Sequence, residues 1–196
     1  MNSATLAGPD GKARCAWCGD DAEYQRYHDE EWGTVQRDGR KLFEKLCLEG
    51  FQAGLAWITI LRKRDNFRRA FYDFDPVRVA AMRPADVERL MADAGIVRNR
   101  LKIEATISNA QAFLDMQAAG GPNAFSDFVW ETVGGAPQIN RPQSMADVPA
   151  KTAAAEALSK RLKKSGFRFV GPTIAYAFMQ SMGLVDDHMT GCWRAR

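Results

Sequence analysis

Apolar residues recur every three or four positions through most of the chain, which is the spacing of one face of an α-helix. In residues 39–64 the pattern places Leu42, Leu46, Glu49 or Gly50, Ala53 and Trp57 on one face. Glycines at positions 50 and 54 weaken the interior of this helix, which predicts a break near residues 50–54. Since no convincing set of alternating strands and no internal repeat is found, the predicted fold class is all-α.

Start and stop signals divide the rest of the chain into further helices. The predicted helices start at Asp75-Pro76, run from Pro84 to Gly95, cover about residues 97–121, start at a Ser126 cap, run from a Thr152 cap to Gly166, and run from Pro172 to Gly183. Residues 134–149 are rich in turn formers and are expected to form a connection. Residues 1–13 lack periodicity and predict a flexible tail, which leaves residues 14–196 as one helical domain, either undivided or with two lobes around a cleft.

The composition limits the class of protein. At 196 residues, 46% hydrophobic and 26% charged, the chain is typical of a globular protein with its own core. It shows no apolar run long enough to span a membrane and no signal-like segment, so the default expectation is a cytoplasmic protein without a membrane partner. A net charge of +3 permits nucleic-acid binding without arguing for it. Positive charge is concentrated in residues 62–69 and 160–168, although each run also fits a solvated helix face.

Side chains that can bind metals are scarce and lie near both ends of the chain. The four cysteines are Cys15, Cys18, Cys47 and Cys192, and the two histidines are His28 and His188. Thiolate and imidazole groups are the ligands of closed tetrahedral zinc sites. One zinc ion could join the two ends through a ligand set of Cys15, His28, His188 and Cys192. Cys18 competes with Cys15 for this role, and ordinary burial of these residues is the alternative. A redox CxxC motif is disfavoured because no βαβ pattern surrounds it.

Aromatic residues are concentrated in one segment, which contains Trp17, Tyr24, Tyr27 and Trp32. Tyr24 and Tyr27 are three positions apart and share a face if the segment is helical. Such spacing more often reflects core packing than a ligand pocket. Glu49, however, puts a carboxylate on a helix that otherwise looks buried, where an unpaired charge is costly. The combination favours a pocket with aromatic walls and one acidic group.

Residues 163–178, KKSGFRFVGPTIAYAF, resemble the helix-hairpin-helix element of DNA repair enzymes. A helix ends at Gly166, an apolar turn follows, and a second helix begins at Pro172. Glycine in such a turn allows backbone N–H groups at the positive end of the second helix to approach a phosphate. Lys163, Lys164 and Arg168 would add charge without reading base sequence. Any glycine-terminated pair of helices has a similar sequence, which is the alternative.

Several longer motifs resemble one protein family. They are RCAW at 14–17, YQRYHDEEWG at 24–33, LFEKLCLEGFQAGLAWITIL at 42–61, DAGIVRNRLKI at 93–103 and GFRFVGPTIAYAFMQSMGLVDDH at 166–188, followed by Cys192. Through them the chain resembles bacterial 3-methyladenine DNA glycosylase I over residues 14–193. The resemblance implies a bacterial, all-helical glycosylase of the helix-hairpin-helix superfamily, with a structural zinc site that joins the N-terminal and C-terminal segments.

The resemblance also implies roles for individual residues. It assigns the zinc ligands to Cys15, His28, His188 and Cys192, and thereby favours Cys15 over Cys18. It places Glu49 as the acidic residue that contacts a flipped base. The aromatic walls fall at Tyr27, Trp57 and Trp17, with Tyr24 close by.

DNA contacts are expected at two places. Gly54 and Leu55, at the predicted helix break, are compact and apolar enough to fill the gap that a flipped base leaves. A core position is the alternative for Leu55. The hairpin residues expected to contact DNA are Lys163, Lys164, Arg168, Gly171 and Thr173.

The expected function is hydrolysis of the N-glycosidic bond of 3-methyladenine in alkylated double-stranded DNA, with release of the free base, by a monofunctional and monomeric enzyme. 3-Methylguanine is a second candidate substrate. Glu49 would be the catalytic residue and would stay buried because its cationic substrate completes the ion pair. Asp187 is a weaker candidate for positioning water and is otherwise expected to order His188. The rival interpretation is a non-catalytic helical module, with its ends joined by a zinc ion, that senses damaged DNA.

Overall fold

In the computed structural model, which describes residues 4–195, most of the chain is helical. The α-helices are α1 (Ala22–Glu30), α2 (Gly39–Gln52), α3 (Trp57–Ala70), α4 (Pro76–Ala80), α5 (Pro84–Ala92), α6 (Arg100–Gly120), α7 (Ala124–Glu131), α8 (Ala153–Lys164) and α9 (Pro172–Ser181). The strands are β1 (Thr5–Ala7), β2 (Ala13–Cys15), β3 (Gln138–Ile139) and β4 (Val185–Asp186). The predicted helical character is confirmed, and the short strands are additions to it. Among these residues, no helix combines the length and the apolar character needed to cross a lipid bilayer.

The break between α2 and α3 is the local feature that matters most for the site. α2 ends at Gln52, and α3 begins at Trp57. Between them Gly54 has a φ of +85°, in the left-handed region that favours glycine. The Lys102 ammonium donates hydrogen bonds to the carbonyls of Phe51 and Ala53, both at 2.8 Å. The predicted break is confirmed, and Lys102 holds it in place.

Most helix starts follow their capping signals. Asp75 and Thr152 each accept hydrogen bonds from backbone N–H groups in the first turn of α4 and α8, as predicted. The predicted Ser126 cap is wrong, because α7 begins two residues earlier, at Ala124, and Ser126 is a buried residue inside the helix. Asn123 occupies the cap position instead, directly after the turn that ends α6.

The structure differs from the predicted N-terminal tail, because β1 and β2 pair as an antiparallel hairpin. The buried Arg14 ties this hairpin to α1. Its guanidinium donates to Asp29 at 2.7–3.0 Å and to Asp10 at 2.6 and 2.9 Å. Strands of three residues carry too little alternation to be recognised in the sequence. Residues 1–3 of the predicted tail lie outside the described residues.

α2 lies at the centre of the fold, with α3, α6 and α9 packed against it. Every residue from Leu42 to Phe51 is buried except Glu44. A helix surrounded by protein on all sides is expected to be apolar, yet α2 buries two charged residues, Lys45 and Glu49. These two residues therefore direct attention to the cavity beside them.

Candidate active site

A cavity of about 220 Å³ opens beside Glu49. The residues predicted to form the base pocket all line it, although they come from separate elements: Trp17 from the turn after β2, Tyr24 and Tyr27 from α1, Glu49 from α2 and Trp57 from α3. Its remaining lining residues include Trp32, Gln52, Gln180 and Asp187. The cavity thus combines broad aromatic surface with a few polar groups, which is the usual composition of a small-molecule site.

The aromatic rings that line this cavity pack against one another. The ring centroids of Trp17 lie 5.1 Å from Tyr24 and 5.0 Å from Trp32, both edge to face. Those of Tyr27 and Trp57 lie 5.5 Å apart. The indole Nε1 of Trp57 is buried and has no hydrogen-bond partner within residues 4–195. A buried donor without a partner is costly unless a ligand or water satisfies it.

Lys45 is a site residue that the sequence prediction missed. Its Nζ lies 2.9 Å from Glu49 Oε1 and donates to the Tyr27 hydroxyl at 2.8 Å. It also lies 3.1 Å from the centroid of the Trp57 ring. Lys45 and Glu49 are only 6% and 4% exposed. The expectation that the substrate alone completes the ion pair of Glu49 is therefore wrong. The i,i+4 spacing of these two residues was the available signal.

Burial changes the ionisation of the groups around Glu49. It lowers the pKa of Lys45 to about 8, against the opposing attraction of the Glu49 and Glu31 carboxylates. Burial also raises the pKa of Tyr24 to about 12 and the pKa of Tyr27 well above its usual value. Both phenols are consequently protonated near neutral pH, and each offers one O–H donor.

The two aspartates at the end of β4 have different partners. Asp187 lines the cavity and accepts hydrogen bonds from Tyr176, from Gln180 at 2.8 Å and from Asn140 at 2.7 Å. Asp186 instead contacts His188, with its Oδ1 at 2.7 Å from His188 Nδ1. The residue that orders His188 is therefore Asp186, and the prediction that Asp187 does so is wrong.

The predicted metal ligands converge from both ends of the chain. One ligand atom each from Cys15, His28 and Cys192 lies within 4.8 Å of the others. His188 lies outside this group of three, but its ring centroid is 5.3 Å from that of His28. Its Nε2 is buried and has no hydrogen-bond partner in the described part of the chain. The Nδ1 atom of His28 lies 2.8 Å from Asp29, which is the arrangement that fixes a metal-binding imidazole.

The thiols differ in their surroundings. Cys18 is not part of the group, because its Sγ donates to the carbonyl of Cys15 at 3.1 Å. Hydrogen bonds from Cys15 and His28 lower the pKa of Cys192. The Cys192 Sγ atom lies 3.4 Å from His28 Nε2, and a thiol next to an imidazole suits a borderline cation such as zinc. The residues present therefore fit a metal ion, and Cys15 is the better placed of the two competing cysteines.

Gly33 is required for the position of His188. It has a φ of +74°, and a Cβ atom at this position would lie 2.6 Å from Cε1 of His188. We expect Gly33→Ala to lower the free energy of unfolding by about 1–3 kcal/mol, because it combines backbone strain with displacement of a buried ring. Urea denaturation measures this loss. Gly191→Ala is the matched control, since Gly191 has a φ of +89° with no atom within 4 Å of the added Cβ. Equal losses in the two variants would contradict the role of the ring contact.

The loop predicted to fill the gap left by a flipped base lies at the surface beside the cavity. Leu55 is 42% exposed, so it is not a core residue. Another cavity, of about 140 Å³, lies between the loop and the pocket: its lining includes Gly54, Leu55 and Thr173, and it shares Glu49 with the pocket.

The predicted DNA-binding hairpin is a tight turn between α8 and α9. The Ser159 hydroxyl donates to the carbonyl of Val170 at 2.6 Å, and the Asn109 side chain bonds both backbone groups of Arg168 at 2.7 and 3.1 Å. At Gly171 an added Cβ would have no protein atom within 4 Å. The exposed side chains around the turn are those of Lys163, Lys164, Arg168 and Thr173. The first N–H groups of α9 have no acceptor within the helix, which is a suitable arrangement for an anion.

Comparison with known proteins covers almost the whole chain. Residues 17–195 match the family model described as Methyladenine glycosylase. The chain is 55% identical over 179 residues to DNA-3-methyladenine glycosylase 1 of Escherichia coli K12, spanning 91% of this chain and 95% of that protein.

Solved structures agree with this sequence match. One 3-methyladenine DNA glycosylase I superposes with a TM-score of 0.91 at 55% identity, covering 93% of this chain and all of that one. A variant of a 3-methyladenine DNA glycosylase I in complex with 3-methyladenine superposes with a TM-score of 0.88 at 39% identity, covering 92% and 96%. The chain therefore belongs to the methyladenine glycosylase family.

Proposed function

We propose that the chain hydrolyses the N-glycosidic bond of 3-methyladenine in alkylated double-stranded DNA and leaves an abasic site. The observation that carries this proposal is the cavity in which the Glu49 carboxylate lies among Trp17, Tyr24, Tyr27 and Trp57. The names of the relatives and the related variant that binds 3-methyladenine support the choice of base.

The chemistry of the lesion explains why such a cavity suffices. An adenine methylated at N3 in DNA is a cation, and it departs as a neutral base because the electron pair of the C1′–N9 bond passes to its ring. No acid is needed to protonate the leaving group. Water adds to C1′ of the resulting oxocarbenium ion and loses a proton. The protein must therefore extract the base, bind the cation and tolerate positive charge on the sugar.

Glu49 and the aromatic rings meet these requirements together. The Glu49 carboxylate can accept hydrogen bonds from the edge of the base and attracts its positive charge. Ring faces favour a cationic base over neutral adenine through cation–π attraction, roughly 0.5–2 kcal/mol per contact. Lys45 Nζ lies 3.1 Å from the centroid of the Trp57 ring and 5.0 Å from that of Tyr27, so a base would contact Trp17 and the parts of these two rings that Lys45 does not cover. In this proposal Glu49 acts first in recognition and second in stabilising the oxocarbenium ion.

In this proposal, the hairpin between α8 and α9 and the loop that carries Leu55 contact the DNA. The amide groups and positive charges of the hairpin would bind phosphates without reading sequence. Leu55 would fill the gap in the base stack, since its loop lies beside the cavity that receives the base. Extraction of a base costs a few kcal/mol, and less for a damaged base.

We expect Leu55→Ala to lower the rate of 3-methyladenine release from duplex DNA by roughly 10- to 100-fold, because the extruded base is no longer replaced in the stack. The affinity for free 3-methyladenine should stay unchanged, since the pocket is intact. Leu6→Ala is the matched control, as Leu6 is an exposed leucine on β1 far along the chain from this loop. Equal activity of Leu55→Ala and wild type would contradict the proposal that Leu55 fills the gap in the base stack.

A structural zinc ion is part of the proposal. Cys15, His28, His188 and Cys192 would hold it, supported by the three clustered ligands and the buried, unpartnered Nε2 of His188. When bound, the ion supplies a cross-link between the chain ends and no chemistry at the base. Asp29 and Asp186 would orient the two imidazoles.

The test is release of free bases from methylated duplex DNA, separated by chromatography. The proposal expects 3-methyladenine as the main product and an intact DNA strand at each abasic site, as a monofunctional enzyme leaves. Strand cleavage would exclude the monofunctional assignment. DNA binding without base release would instead support the alternative of a non-catalytic sensing module. Analytical ultracentrifugation tests the accompanying proposal that the chain acts as a monomer.

A further inference from the structure

A single buried ammonium group contacts three residues of the base cavity. Lys45 Nζ lies 2.9 Å from Glu49 Oε1, 2.8 Å from the Tyr27 hydroxyl oxygen and 3.1 Å from the centroid of the Trp57 ring. The side chain is 6% exposed, so water cannot replace these contacts freely. Lys45 is therefore placed to control how the other three present their polar groups to a ligand.

The chemistry of an ammonium group fixes the direction of these hydrogen bonds. It has three donors and no acceptor, so the Tyr27 oxygen must accept from Lys45. The single hydroxyl proton of Tyr27 then points away from Lys45 and remains available as a donor. The Glu49 carboxylate faces the same ammonium group at 2.9 Å, and a carboxylate has acceptor oxygens and no donor. The cavity consequently offers one fixed donor and one fixed acceptor.

We propose that Lys45 is a positioning residue that fixes which groups of the base cavity donate hydrogen bonds and which accept them. The cavity thereby selects purines with an amino group over purines with a carbonyl group at the same edge. 3-Methyladenine has an amino group at C6, which donates to a carboxylate. 3-Methylguanine has a carbonyl oxygen there, which a carboxylate repels. This inference rests on the proposed function and addresses which alkylated purine the cavity accepts.

The surrounding charges leave Lys45 as the cationic partner of Glu49. Lys45 is faced by Tyr27 from α1, by Glu31 directly after α1 and by Arg64 from α3. Arg64 is itself engaged by Glu31, at 2.5 and 3.0 Å. Tyr24 faces Glu49 from α1 and is protonated near neutral pH, because burial raises its pKa to about 12. Within the described residues, then, the charge balance at Glu49 depends on Lys45.

The test compares wild type, Lys45→Met and Lys45→Arg for the ratio of 3-methyladenine to 3-methylguanine released from methylated DNA. We expect Lys45→Met to lower this ratio by about 10-fold, since the Tyr27 hydroxyl and the Glu49 carboxyl group then lose the ammonium group that fixes their hydrogen bonds. Lys45→Arg keeps the positive charge and should keep the ratio within about 3-fold of wild type. Lys41→Met, an exposed position one turn earlier on α2, is the matched control.

The pH dependence of kcat/KM separates this role from a structural one. In wild type the ammonium is present below about pH 8 and lost above it, because burial lowers the pKa of Lys45 to about 8. The ratio of released 3-methyladenine to 3-methylguanine should therefore fall as the pH rises through that value, because a neutral amine has a lone pair and no longer fixes the direction of the hydrogen bond with Tyr27. In Lys45→Met this change near pH 8 should be absent, because the group that titrates there has been removed. A purely structural role would lower activity without changing the shape of the profile.

The outcomes distinguish the two proposals. An unchanged base ratio together with an unchanged pH profile in an active Lys45→Met enzyme would overturn the role of Lys45 and leave the proposed function intact. A wild-type protein that releases neither base refutes the proposed function, and this inference with it. Should thermal denaturation show that Lys45→Met is unfolded, Lys45→Gln replaces it, because glutamine still donates to Tyr27 but carries no charge.

Discussion

Glu49→Gln is expected to lower the rate of 3-methyladenine release by about 10²- to 10³-fold. Glutamine keeps the size of the side chain and an oxygen that can accept from Lys45, which lies 2.9 Å away in the wild type. What it removes is the negative charge. The buried pair changes from neutral to a net positive charge, which repels a cationic base at short range in a poorly solvated cavity. Binding of the lesion and stabilisation of the sugar cation should both weaken.

The measurement pairs base release with the affinity for free 3-methyladenine, which the fluorescence of Trp17 and Trp57 can report because both line the cavity. Glu44→Gln is the matched control on the same helix, since Glu44 pairs with Arg68 at 2.8 Å and does not line this cavity. If base release disappears while affinity for the lesion stays intact, Glu49 acts in the transition state and its proposed primary role in recognition is wrong.

The sequence predicted the residues of the cavity better than their interactions. Their segment is helical, which was the condition under which the spacing of Tyr24 and Tyr27 predicted a shared face, and both residues line the cavity with Glu49. The partner of Glu49 was missed, because i,i+4 spacing places Lys45 beside it without showing that both are buried. An exposed pair of this kind contributes little, whereas a buried one changes pKa values and fixes hydrogen bonds.

Other parts of the site depend on contacts that local patterns do not encode. Asp186 and Asp187 are neighbours in the chain, and successive residues of an extended strand point to opposite faces. Sequence alone could not tell which of them faces His188. Lys102 reaches the loop after α2 from α6, about 50 residues further along the chain, a separation at which helical periodicity gives no information. Tertiary packing decides both cases.

Removal of the proposed metal ion should have the largest effect on stability. We expect wild-type protein to contain one zinc ion per chain, and a chelator to lower Tm by about 10 °C or more. The reason is that Cys15 ends β2 and His28 lies on α1, whereas Cys192 lies near the C-terminus. Without a cation, the chain ends lose their cross-link, and the buried Nε2 of His188 remains unsatisfied.

Substitution of single ligands distinguishes a metal site from a cluster of buried thiols. Cys192→Ala should lose the zinc ion, measured by elemental mass spectrometry, and should melt at the temperature of the chelated wild type. Cys18→Ala is the matched control and should retain the ion, because the Cys18 thiol bonds to the carbonyl of Cys15 and lies outside the ligand group. A metal-free protein with an unchanged Tm would contradict the structural role. Loss of the ion in Cys18→Ala would move the ligand assignment from Cys15 to its neighbour.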